Sequence, residues 1–139
     1  MSQDKTRLVK TTKKDFKLFV KECERWIDYL GINDWQINIV HDEIEDKDGL
    51  CSTNYACKWA YIIFAKHLRA HDYNIKFIKE LAAEEIFHLF LSPLREMCER
   101  RNYDEKEASR AEHEIIRRLY NSIKNNKIKK ISKCCIKHK

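Results

Sequence analysis

Between residues 13 and 30 the apolar side chains fall at Phe16, Phe19, Val20, Cys23, Trp26, Ile27 and Leu30, the three-and-four spacing of an amphipathic α-helix. Thr11 or Thr12 suits its N-cap, Asp15 complements the helix dipole, and Gly31 is placed to end it. From Trp35 to Val40 the period changes to two: Trp35, Ile37 and Ile39 alternate with polar neighbours, which predicts a half-buried strand. Residues 50–55 predict a short second strand. Residues 58–66, with Trp59, Tyr61, Ile62, Ile63 and Phe64, predict a third. The acidic stretch from His41 to Gly49 reads as a loop or hairpin connection. A turn near His71 and Asp72 leads into a long helix from about Asn74 to Leu91, closely followed by Pro93. A final helix runs from about Asp104, its possible cap, to Ile123. The order α-β-β-β-α-α around one small three-stranded sheet predicts an α+β domain.

Composition narrows the function classes. A chain of 139 residues that is 43% hydrophobic fits one domain with a real core. Its two glycines and one proline leave no frame for a P-loop or a dinucleotide fingerprint. The acidic loop lacks the spacing of an EF-hand. The longest apolar run, Trp59 to Ala65, is far below the roughly 20 residues that span a bilayer, so no membrane partner is expected. The first ten residues hold no apolar signal segment, and the expected location is cytoplasmic, with the six cysteines as thiols. Residues 124–139 hold seven lysines and no acid, against a net charge of +6 for the whole chain. The expected organisation is a domain over 1–123 and a basic, flexible tail over 124–139. That tail could meet nucleic acid or another polyanion, although a solvated terminus is the plainer reading. The three tryptophans are expected in the core, and His41, His67 and His71 at the surface. Cys134, Cys135 and His138 are only a weak metal candidate.

The helix over 75–91 carries the candidate chemistry. Its apolar residues cover most of its circumference, so it is expected to be central and buried. Glu84, Glu85 and His88 interrupt them, and a buried carboxylate is costly unless paired, hydrogen-bonded or metal-bound. Glu84 and His88 stand four apart and project from one face; Glu85 lies about 100° round, within reach of a water on a metal that the other two hold. The plainer reading is a Glu–His pair that solvates itself at the core edge. Adjacent glutamates diverge, which argues against a glycosidase pair, and no second Glu-x-x-His supports a di-iron site. In the last helix, Glu112 falls in a stripe of Ala108, Ile115, Leu119 and Ile123, with Ile116 alongside, where it could meet Glu84 and His88 or form a rim salt bridge. His113, one position round, is its substitute.

The order of these parts resembles the zincin-type metallopeptidases, specifically the small phage- and prophage-encoded kind, with the SprT-like group as the nearest general relative. The likeness rests on Trp26-x-x-x-Leu30-Gly31, Asp34-Trp35, the strand at 59–64, Glu84-Glu85-Ile-Phe-His88 through Pro93-Leu94, and Ala111-Glu112-His113-Glu114 through Leu119. It covers roughly residues 14 to 123. It implies a zincin-like single domain with an N-terminal helix, a small three-stranded sheet, a buried active-site helix and a C-terminal helix. It also implies zinc or another divalent metal on Glu84, His88 and either Glu112 or His113, with Glu85 as the general base of peptide hydrolysis. The strand at 59–64 would lie beside the cleft and could pair with an extended protein or peptide substrate. Glu84 departs from the family, standing where His-Glu-x-x-His has its first histidine. A carboxylate there makes the site harder and more anionic and implies slower hydrolysis or a metal other than zinc. The alternative is a catalytically inactive protein on the same scaffold, with a nucleic-acid or acidic-protein partner on its basic tail.

Overall fold

A computed structural model describes residues 8–69, 73–101 and 104–136, the last with side chains only at 104–117, 119–121, 123 and 124. His71, Asp72 and His138 lie outside the described residues, as do the side chains of Cys134 and Cys135. The architecture is α+β, as the periodicity predicts, and the chain divides into two units, Met1–Glu96 and Met97–Lys139.

In the first unit, helix α1 (Lys13–Leu30) starts at Thr12, whose hydroxyl accepts from the Asp15 N–H at 3.2 Å while the Asp15 carboxylate accepts from the Thr12 N–H at 2.8 Å. Gly31 closes it in the left-handed region, with φ 67°. The stripe is buried at Phe19, Cys23 and Trp26, and so is Glu22 between them, whose carboxylate pairs with Arg25.

Strands β2 (Gln36–Asp42), β3 (Gly49–Asn54) and β4 (Trp59–Ala65) form one sheet in the order β2-β4-β3, with β4 parallel to β2 and antiparallel to β3. The strand expected to border a cleft is thus the central one. Both its edges are paired and cannot receive a substrate backbone; among the described residues, the open edges of this sheet belong to β2 and β3. Ala60, Ile62 and Phe64 are fully buried on the inner face, where Phe19 stacks on Phe64 at 4.7 Å. Their neighbours Trp59, Tyr61 and Ile63 point to the other face. Only Trp26 of the three tryptophans is a core residue. Trp35 packs half-buried against Tyr55 at 6.2 Å, and Trp59 sits half-buried on the outer face of the sheet.

Ahead of α1 and after β4, β1 (Val9–Lys10) and β5 (His67–Leu68) form a two-residue antiparallel pair. Such short strands leave no periodicity to read. Thr11 anchors the join: its N–H donates to the Lys66 carbonyl at 2.8 Å and its hydroxyl to the Ala65 carbonyl at 2.9 Å. Because that hydroxyl is spent as a donor, His41 Nε2–H donates to Thr11 Oγ1 at 2.6 Å. His41 therefore differs from the surface residue expected. It lies half-buried in β2, its ring stacked on Phe16 at 5.1 Å and 5.5 Å from Phe64.

Helix α2 (Ile75–Phe90) begins at Asn74, whose side chain accepts from the Phe77 N–H at 2.8 Å. It is central, as its composition predicts: Ile78, Leu81, Ala82, Ala83, Ile86, Phe87 and Leu89 are buried, and Phe87 meets Trp26 of α1 at 5.3 Å. Pro93 belongs to the first turn of a separate helix, α3 (Ser92–Arg100), where its missing N–H is one that a helix start leaves unpaired anyway.

In the second unit, Asp104 Oδ1 accepts from the Lys106 N–H at 2.9 Å at the start of α4 (Glu105–Ile136), which continues well past the expected end at Ile123. Among the described residues of α4, Glu112 and Ile116 are buried and Ala108, Leu119 and Ile123 of the expected stripe are half-buried, while Ile115 is exposed. Among the described residues, no helix is long and apolar enough to cross a membrane.

Candidate metal centre

Consecutive residues of α2 serve different faces. Glu84 Oε1 and His88 Nε2 are 3.9 Å apart across one helical turn, with the Glu84 side chain 43% exposed and that of His88 15%. Water reaches Glu84, so the buried carboxylate of this helix is Glu85 instead. Rotated about 100° from Glu84, Glu85 is 6% exposed and lies against β3. A β-carbon added at Gly49 would come within 2.9 Å of Glu85 Oε1 and 3.2 Å of its Cγ. The missing side chain of Gly49 is what lets the carboxylate settle there.

On α4, His113 is half-buried and its Nδ1 lies 2.7 Å from the Ser109 carbonyl oxygen one turn back. A carbonyl only accepts, so Nδ1 carries the proton, and in the neutral ring Nε2 holds the lone pair that a metal requires. Glu112 beside it is buried.

Glu84, His88 and His113 form a group that could hold a metal ion: each offers one ligand atom, and these atoms lie within 4.8 Å of one another. One carboxylate oxygen and two imidazole nitrogens fit zinc, and also manganese or iron. Of the two candidates on the last helix, His113 belongs to this group and Glu112 does not.

Behind α2, burial pushes the Cys23 thiol far above the ordinary cysteine range, and the negative charges of Glu85 and Glu22 push it further. Glu22 was not singled out from the sequence. Its signal was its position, three after Phe19 and four before Trp26 on the apolar stripe. Elsewhere, His67 Nδ1 lies 3.1 Å from Glu43 Oε2 at the surface, as expected of a loop-proximal histidine. No family model matches the sequence, and neither a curated protein nor a solved structure matches it.

Proposed function

We propose that the chain is a metal-dependent hydrolase of peptide bonds, with Glu84, His88 and His113 as ligands and Glu85 as the proton acceptor. The observation that carries this reading is the gathering of three ligand atoms within 4.8 Å, from side chains far apart in sequence. A divalent cation held there would supply Lewis acidity toward a substrate carbonyl. The residues supply the rest. The bond from His113 Nδ1 to Ser109 leaves the lone pair on Nε2, and Glu84 brings a negative charge that favours a harder cation than a third imidazole would. Glu85, one position on, takes the proton of the attacking water and returns it to the leaving amine. Its carboxylate lies at the start of β3, whose open edge suits an extended peptide backbone.

The test is elemental analysis of the untagged protein beside His88→Ala and Glu85→Gln. Support is about one zinc, manganese or iron per chain, lost in His88→Ala and kept in Glu85→Gln, with peptide cleavage lost in both. A chain without stoichiometric metal, whose melting temperature ignores chelator and added metal, would be an inactive scaffold. The partner would then be a polyanion on the lysine-rich end, a reading favoured by the continuation of α4 through Lys124, Lys127, Lys129, Lys130 and Lys133. Its binding would weaken steeply with salt, as a metal site's would not.

A further inference from the structure

The outer face of the β2-β4-β3 sheet has a composition unlike the rest of the chain. The register places Gln36, Trp59 and Asn54 in one row across it, and Asn38, Tyr61 and Ser52 in the next. A third row holds Val40, Ile63 and Leu50, and beyond it on the same face the register pairs Asp42 with Ala65, which puts one carboxylate at that end. None of the nine side chains in the three rows is charged, in a sequence that is 36% charged. Gln36, Ser52, Asn54 and Tyr61 are exposed, and Trp59 and Asn38 are half-buried. The two aromatic rings meet edge to face, 4.1 Å between centroids at 82°, and fix each other's orientation at the centre of the sheet.

We infer that this face binds a neutral oligosaccharide, a function separate from the metal centre. The chemistry matches on three counts. The negative face of an aromatic ring attracts the polarised C–H face of a pyranose ring and shields it from water. The amides and the hydroxyl on either side of each ring offer donors and acceptors together, which sugar hydroxyls need and a purely apolar partner would leave unused. The lack of charge in the two rows around the rings, with Asp42 only at the far end, suits a ligand that has none. A phosphate backbone would call for cations along the face, and Lys58, which precedes Trp59 in sequence, is paired with Asp34. A second copy packed face to face would bury five amides and hydroxyls from each copy, with one apolar row from each to offset the loss of water.

The test titrates the full chain with cellohexaose and with the hexamer of N-acetylglucosamine, followed by tryptophan fluorescence and by calorimetry. Saturable binding of either sugar is expected, at a Kd on the order of 10 μM to 1 mM. It should weaken about tenfold or more in Trp59→Ala and in Tyr61→Ala, and change little with salt or in His88→Ala. Should Trp59→Ala fail to fold, Asn38→Ala and Asn54→Ala, which leave both rings in place, are expected to weaken binding as well. Failure of both sugars to bind the native protein overturns the inference, as does binding that survives the ring and amide variants. Salt-sensitive binding of an oligothymidylate lost in Tyr61→Ala would make this a nucleic-acid face. A concentration-dependent dimer lost in the same variant would make it a self-association face, and either result also overturns the inference.

Discussion

Gly49 and Glu85 fit together because one lacks a side chain: a β-carbon on Gly49 would lie 2.9 Å from Glu85 Oε1 and 3.1 Å from Leu81 Cδ1. Strand and helix approach each other at a buried carboxylate, and nothing larger than hydrogen fits between. Gly49→Ala must therefore move the carboxylate or the helix, at a cost of about 1–3 kcal/mol of stability. Urea unfolding measures this, and an alanine variant as stable as the parent would contradict the packing.

His113 and Glu112 separate in a metal titration. Bonded to Ser109 through Nδ1, His113 has Nε2 set as a donor. His113→Ala should weaken metal binding roughly tenfold or more, whereas Glu112→Gln should leave it nearly unchanged. Competition with a chromophoric chelator reads both, and equal losses would remove the distinction.

Acid should loosen the N-terminal junction through His41. Burial, followed by the Lys66 ammonium, holds this imidazole below its ordinary value of 6.5, while Asp15, Asp42 and Glu43 pull the other way. The unfolded chain takes up the proton first, near pH 6.5, and the native protein only at lower pH. The stability due to a neutral His41 is thus complete above pH 6.5, declines as pH falls toward the lowered native value, and then levels off. Denaturation midpoints from pH 8 to 5 should fall less steeply in His41→Gln than in the parent; parallel curves would exclude the effect.

Thiol labelling should follow burial. Cys57 is exposed in the β3–β4 turn, while Cys23 is buried beside Glu85 and Glu22, with its thiol held in the protonated form. Brief iodoacetamide treatment followed by peptide mass mapping should modify Cys57 in the native protein and Cys23 only after denaturation. Comparable rates at the two sites would show that the α1–α2 packing opens readily.

Local chemistry was legible in the sequence, and non-local chemistry was not. Helix α1 was readable from cap to cap because Thr12, Asp15 and Gly31 act within a few residues of the ends they set. The pairing of Glu84 with His88 was readable because four-residue spacing on a helix is a geometric fact. Strand order was not: alternation locates three strands but carries no information on which lies between the others, and β4 proved to be the middle one. The choice between Glu112 and His113 was equally closed, since the two are adjacent on one helix and only the placement of their ligand atoms separates them. The end of α2 ahead of Pro93 was readable, but α3 was not, because a proline soon after one helix can just as well open the next.

Thr11 and Thr12 are neighbours with different attachments: Thr12 holds the first turn of α1, and Thr11 holds the chain leaving β4. Mechanically, the two threonines make a fork. Tension applied at the N-terminal end meets the two-residue β1–β5 pair first and reaches Thr11 next, where the load divides between a helix and a sheet. The bonds from the Thr11 N–H and from its buried hydroxyl are therefore loaded before the first turn of α1.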